Sequence, residues 1–164
     1  MRLPHVIWDM GGIVYRYFTE LMVELGEREG WPLDSLPLGP TGSAPDHDYE
    51  RMLEGGLDEP EYLQIVRGRL RRAGIRFDPV ADIAWDGRVR PETMRLITDL
   101  GSAGHRQATL TNDATRWLGP NWWDTWQYAT HFDAMVDVAT VGVRKPAPEP
   151  YLSVAAALDV PPGE

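Results

Sequence analysis

The stretch from Val6 to Asp9, followed at once by Gly11 and Gly12, constrains the fold of this chain more than any other feature. Its unbroken apolar run of Val, Ile and Trp is typical of a strand that is covered on both faces of a sheet. Asp9 falls where that strand should end, and ligands bind at the carboxyl ends of strands in open α/β sheets. An aspartate there can attack an electrophile or hold a metal, and the glycines let the backbone approach a ligand closely. The alternative is that Asp9 caps a following helix.

Two later apolar runs also lead into polar residues. The run 107–110 ends in Thr111 and Asn112, and a third candidate strand from Phe132 to Val138 is followed by Lys145-Pro146. Asp, then Thr, then Lys-Pro, each after a candidate strand, resembles the haloacid dehalogenase-like (HAD) hydrolase superfamily, most of whose members are magnesium-dependent phosphatases. The ordered set carries the resemblance, since each motif alone is weak.

This resemblance implies an α/β fold in which a Rossmann-like, three-layer core with a parallel sheet carries an α-helical cap. Residues 17–88 contain several helix patterns, including a short one from Asp78 to about Trp85, and a simple β-α-β crossover needs far fewer residues. We therefore predict a core of residues 1–16 and 89–164 and a helical cap of residues 17–88. A cap can cover a site, exclude water and choose substrates.

The resemblance also implies the roles of individual residues. Asp9 would be the nucleophile that forms an aspartyl-phosphate, and Lys145 would neutralise charge on the nucleophile and the transferring group. Magnesium would bind Asp9 and the backbone carbonyl of Gly11. The substrate, a small phosphorylated molecule, would be held by three further residues: Gly12, Thr111 and Asn112.

Two departures from the family pattern leave other functions open. Gly11 stands where most family phosphatases have an acid that protonates the leaving group, and the chain ends before the strand with the acidic pair that completes the magnesium site. We therefore expect a C-terminally incomplete core, weak magnesium binding, and self-association through the free edge of the first strand. The alternatives are a 2-haloacid dehalogenase, whose halide needs no proton, and a catalytically impaired relative that acts as a binding protein. A phospho-acceptor receiver module also uses Asp, Thr and Lys-Pro in this order, but it has no long helical insertion.

Charge and composition exclude several classes of partner. The formal charge of −9 disfavours nucleic acids and anionic membranes, and a chain without cysteine has neither a disulfide framework nor a thiolate site. We expect a cytoplasmic protein, since no signal peptide or membrane-spanning run is evident. Lys145 is the only lysine among the sixteen Lys and Arg residues, which favours a specific role for its ammonium group.

Four tryptophans occur between positions 117 and 126. Such a group suggests stacking on a sugar or a base, but at helix-like spacing tryptophans more often pack in a core. We interpret them as core or rim packing.

Overall fold

The computed structural model describes residues 4–82 and 86–162. Its strands are β1 (Val6–Asp9), β2 (Gln107–Thr111) and β3 (Ala134–Asp137). Its α-helices are α1 (Phe18–Glu29), α2 (His47–Leu53), α3 (Glu59–Arg72), α4 (Pro91–Ser102), α5 (Ala114–Leu118), α6 (Trp122–Thr125), α7 (Val138–Val141) and α8 (Pro148–Ala157). Short 3-10 helices lie at Leu33–Ser35, Gly39–Thr41, Asp86–Arg88 and Ala129–His131.

The three strands form one parallel sheet in the order β1-β2-β3, which confirms the predicted α/β class. Every residue of β2 is buried, as expected of a central strand, and α8 packs against β2 and β3. The core of this layer is formed by small and branched apolar side chains: Ala108, Leu110, Val136, Val154 and Leu158. The strand β3 is shorter than the predicted run from Phe132 to Val138, since Val138 already begins α7.

Strand β1 forms one edge of the sheet. Its residue Trp8 is buried, and the Trp8 indole nitrogen donates a hydrogen bond of 2.9 Å to the side chain of Gln107 on the neighbouring strand. Ile7, by contrast, is 42% exposed. Within residues 4–82 and 86–162 no strand pairs with the outer side of β1.

The chain divides into two compact units, one of residues 1–15 and 89–164 and the other of residues 16–88. The sequence predicted the first boundary one residue later, after residue 16, and the second boundary at the same place, between residues 88 and 89. The first unit contains the sheet with α4 to α8, and its chain leaves and returns through Tyr15 and Val89, which form an antiparallel bridge.

The second unit is helical and has an apolar core of its own. Its buried side chains come from α1, from α3, from the segment between them and from the turn after α3: Met22, Leu33, Leu38, Tyr62, Val66, Leu70 and Ile75. Helix α1 ends at Gly30, whose φ of 69° is the left-handed conformation that favours glycine. Helix α3 begins at Asp58, which forms a capping box with Glu61.

One predicted helix is not found where the structure describes the chain. Residues 78–82 form a turn in place of the short helix expected from Asp78, and the remainder of that prediction, residues 83–85, lies outside the described residues. The Asp78 carboxylate accepts hydrogen bonds from the amides of Val80 (2.9 Å) and Ala81 (3.2 Å). These are the contacts of a helix N-cap, and the Asp82 amide donates a hydrogen bond of 2.9 Å to the Asp78 carbonyl, so residues 78–82 form a single helical turn.

No helix within the described residues is long and apolar enough to cross a membrane.

Candidate active site

The predicted site residues of the first unit come from the ends of two strands and from one loop. Asp9 is the last residue of β1 and Thr111 is the last residue of β2, while Lys145 lies between α7 and α8. Because β1 and β2 are parallel and Asp9 pairs in register with Leu110, the two strand ends meet at the same edge of the sheet.

The side chains of Asp9 and Lys145 are in direct contact. The Lys145 Nζ atom lies 2.7 Å from Oδ1 of Asp9 and donates a second hydrogen bond of 2.9 Å to the carbonyl oxygen of Leu110. The Lys145 side chain is 14% exposed, whereas the Asp9 side chain is 51% exposed. An ammonium group has three donors, so one N–H of Lys145 remains for a ligand. Lys145 holds one carboxylate oxygen of Asp9, which leaves Oδ2 as the atom that can react.

The exit of β2 carries two further predicted site residues, Thr111 and Asn112. The Thr111 hydroxyl oxygen accepts hydrogen bonds from the amides of Asp113 (3.3 Å) and Ala114 (3.2 Å), so its own proton remains available for donation. The Asn112 side-chain oxygen accepts a hydrogen bond of 3.0 Å from the backbone amide of Lys145. Asn112 therefore connects the exit of β2 to the lysine loop, the segment between α7 and α8 that contains Lys145.

The loop after Asp9 is stabilised by hydrogen bonds to its backbone groups. The Gly12 amide donates to the carbonyl of Tyr15 at 2.7 Å, so in this conformation that amide is engaged within the loop. The Gly12 carbonyl accepts a hydrogen bond of 3.1 Å from Nε of Arg90, and the Ile13 carbonyl accepts one of 2.9 Å from the Thr93 hydroxyl. Gly12 has a φ of 79°, which a residue with a Cβ adopts only with strain.

Arg90 and Thr93 were missed by sequence reasoning. Both lie at the start of α4, far along the chain from the loop that they hold. Nothing in the local pattern distinguishes them from an ordinary helix N-terminus, because their contacts depend on where α4 packs.

A second pair was also missed although it lies beside predicted residues. The Asp113 carboxylate and the Arg144 guanidinium form two parallel hydrogen bonds of 2.9 and 3.0 Å. Asp113 follows Asn112, and Arg144 precedes Lys145, so their positions next to the motif residues were the available signal.

Comparison with known proteins was made on sequence and on structure. Neither a family model nor a curated protein matches the amino-acid sequence. An L-2-haloacid dehalogenase from Xanthobacter autotrophicus, with chloropropionic acid covalently bound, is 18% identical at a TM-score of 0.54, and the match covers 98% of this chain and 66% of that chain. The protein CbbY from Rhodobacter sphaeroides, in complex with phosphate, is 20% identical at a TM-score of 0.51, with 96% of this chain and 73% of that chain covered. A HAD-superfamily hydrolase from Ehrlichia chaffeensis is 17% identical at a TM-score of 0.51, with the same coverage of 96% and 73%.

This chain has the haloacid dehalogenase-like fold. The HAD-like fold that the order of Asp9, Thr111 and Lys145 predicted is thereby confirmed. At these identities the likeness is one of fold.

Two further carboxylates, Asp113 and Asp137, lie near the carboxyl ends of β2 and β3, where the magnesium site is predicted. Asp113 is paired with Arg144, and Asp137, the last residue of β3, is 1% exposed and accepts a hydrogen bond of 2.6 Å from the Thr115 amide. No group of three or more His, Asp or Glu side chains that could hold a metal occurs where the structure describes the chain. The Asp9 carboxylate and the Gly11 carbonyl stay the predicted magnesium ligands.

Three of the four clustered tryptophans, Trp122, Trp123 and Trp126, pack against one another. Trp122 and Trp126 are 5% and 9% exposed, and the ring of Trp126 stacks on that of Phe132 with centroids 5.5 Å apart. Trp123 contacts both of these tryptophans. This is the packing role that the sequence favoured over stacking on a ligand.

Proposed function

We propose that this chain is a hydrolase that acts on a small phosphorylated molecule with Asp9 as the nucleophile. The observation that carries the proposal is the contact between Asp9 and Lys145 at the carboxyl end of the parallel sheet. A carboxylate with one oxygen fixed by a lysine and half of its surface open to solvent is suited to attack, since nucleophile and cation are already aligned.

The reaction proceeds in two displacements. Oδ2 of Asp9 attacks phosphorus, the new O–P bond forms, and the bond to the leaving oxygen breaks, so that an aspartyl-phosphate results. Water then attacks the phosphorus, the Asp9 carboxylate is released, and inorganic phosphate leaves. The proton that the leaving oxygen needs comes from solvent, because Gly11 and Gly12 provide no acidic side chain.

Lys145 supplies the local positive charge. The chain has a formal charge of −9 and repels a phosphate at long range, so binding needs a cation at the site itself. The third N–H of the Lys145 ammonium, the Thr111 hydroxyl and the Asn112 side-chain nitrogen are donors for phosphoryl oxygens. Fixed donors of this kind stabilise the charge that develops in the transition state.

The helical unit of residues 16–88 is the proposed cap. In this proposal it excludes water from the site and selects the substrate.

Release of phosphate from p-nitrophenyl phosphate tests the proposal. Its phenolate departs readily without a proton, so this substrate is matched to a site that has glycine at position 11. Turnover should be present in the wild type and absent in Asp9→Asn, and a magnesium titration of both proteins measures the metal requirement. Equal rates in the two proteins would refute the role of Asp9.

A 2-haloacid dehalogenase is the second candidate, and Gly11 favours it, because a halide leaves without a proton. Oδ2 of Asp9 would then attack the halogen-bearing carbon, expel the halide and form an ester that water hydrolyses at the Asp9 carbonyl carbon. Chloride release from 2-chloropropionate separates this candidate from the phosphatase. A protein that turns over neither substrate would instead fit a catalytically impaired relative that binds a ligand.

A further inference from the structure

We infer that the ion pair between Asp113 and Arg144 is a clamp that positions the Lys145 ammonium against Asp9. The inference rests on the proposed function, in which Lys145 aligns the nucleophile. It adds two positioning residues, neither of which contacts the reacting atoms.

The clamp is one of several contacts that join the same two short segments. Arg144 binds the Asp113 carboxylate through both terminal nitrogens, at 3.0 and 2.9 Å. One residue further along, the Lys145 amide binds the Asn112 side chain at 3.0 Å, and Lys145 Nζ reaches the Leu110 carbonyl at 2.9 Å. The exit of β2 thus binds the Lys145 backbone amide through Asn112 and the Lys145 ammonium group through the Leu110 carbonyl. It also binds the preceding residue, Arg144, through Asp113.

The lysine loop needs such support because it has no regular structure of its own. It runs from the end of α7 at Val141 to the start of α8 at Pro148, and Gly142 within it has a φ of 81°. A lysine side chain is long and flexible, and it loses rotamer entropy when it is fixed. A bidentate pair between arginine and a carboxylate fixes direction as well as distance, so it holds the backbone that leads into Lys145.

Position rather than stability is what this pair contributes. The Arg144 side chain is 60% exposed and that of Asp113 is 24% exposed, and exposed ion pairs contribute little to the stability of a fold. A displacement of a catalytic group by about 1 Å, however, can lower a rate on the order of a hundredfold. Loss of the pair should therefore affect the lysine and the rate more than the unfolding temperature.

The chain offers a matched control. Arg67 and Asp78 in the helical unit form a pair of the same bidentate geometry, at 2.9 and 3.0 Å. Asp78→Asn removes a comparable ion pair far along the chain from the lysine loop. It should leave Lys145 and turnover unchanged.

The sole lysine makes the test direct. Protein labelled with 13C-lysine gives a single lysine Cε signal, whose relaxation reports the order of the Lys145 side chain. Arg144→Gln and Asp113→Asn should each shift this signal toward that of a free lysine and lower its order. The charge exchange that combines Asp113→Arg with Arg144→Asp should restore both. Arg144→Gln changes a solvent-exposed side chain and is the variant that tests the clamp if Asp113→Asn fails to fold.

Kinetics provide the second measurement. In the single variants kcat should fall about tenfold to a hundredfold, because the Lys145 ammonium group is no longer held against Asp9. KM should change less, because Thr111 and Asn112 still provide their hydrogen-bond donors for the phosphate. An unchanged Cε signal in both single variants would overturn the clamp. The NMR measurement needs no substrate, so failure of the clamp is distinguishable from failure of the proposed hydrolase activity, which is read from the wild-type rate.

Discussion

The ammonium nitrogen of Lys145 lies 2.7 Å from Oδ1 of Asp9, although the two residues are near opposite ends of the chain. The contact is possible because β1 and β2 are parallel and because Lys145 forms hydrogen bonds with Asn112 and Leu110 at the exit of β2. It distinguishes the two oxygens of one carboxylate, since the ammonium group contacts Oδ1.

Asp9→Asn should abolish turnover and leave the fold intact. The amide keeps the size and hydrogen-bonding reach of the carboxylate but is not a nucleophile. Steady-state rates on p-nitrophenyl phosphate, together with thermal unfolding and circular dichroism, measure the two effects. More than a small residual rate in a fully folded variant would remove Asp9 from the nucleophilic role.

Lys145→Arg should lose most of the activity, although arginine carries the positive charge at every other basic position of this chain. The ammonium fits as a compact charge between the Leu110 carbonyl and Asp9, and a planar guanidinium is larger and points its donors elsewhere. We expect kcat to fall by about a hundredfold or more. Arg95→Lys, the reverse exchange at an exposed position of α4, is the control and should be neutral. Wild-type kinetics in Lys145→Arg would show that any cation suffices.

The stability of the helical unit should depend on pH through Asp46. Its carboxylate is buried and accepts hydrogen bonds from the amides of Gly39 and Tyr49, the Tyr62 hydroxyl and the Arg69 guanidinium. Burial acts to raise the pKa of Asp46, but the hydrogen bonds from Arg69, Gly39, Tyr62 and Tyr49 together outweigh it and hold the pKa below its ordinary value. A lowered pKa stabilises the fold above the unfolded pKa, near 3.8, and this contribution is lost as the pH falls through the folded pKa.

Asp46→Asn should therefore lower the free energy of unfolding at pH 7 by roughly 1–3 kcal/mol, because buried partners lose their acceptor. The difference from the wild type should shrink at pH values below about 4. Urea unfolding at pH 7 and at pH 3 measures both effects, with Glu54→Gln, at an exposed carboxylate, as the control. A difference that is the same at both pH values would contradict the linkage.

The outer edge of β1 should support self-association. Ile7 is 42% exposed on a strand that has no partner on that side within the described residues, and exposed apolar edges pair with other chains. We expect concentration-dependent association in sedimentation velocity experiments, which Ile7→Lys should reduce. Leu96→Lys replaces a similarly exposed apolar residue on α4 and should have no effect. Association that both substitutions reduce equally would indicate a nonspecific apolar contact.

Asp78 makes a contact that local pattern reasoning does not contain. Asp78-Pro79 is a normal helix start in sequence, and the Asp78 carboxylate caps its own turn through two backbone amides. The same carboxylate is also bound by Arg67, eleven residues before it in the chain. The hydrogen bond from Arg67 lowers the pKa of Asp78 to about 2. This pairing with Arg67 is a tertiary contact, and the local sequence around Asp78 does not contain it.

The sequence by itself determined the fold class and the order of the candidate site. The apolar run before Asp9, the run before Thr111 and the position of the only lysine are local features, because alternation, strand propensity and residue chemistry are carried by neighbours in the chain. Only the tertiary structure decided which atoms meet. The Lys145 ammonium group meets Oδ1 of Asp9, and Arg144 pairs with Asp113. Arg90 and Thr93 bind the loop that follows Asp9. These contacts join residues that are far apart in sequence, so they follow from how the strands align and where α4 packs, and no local pattern encodes them.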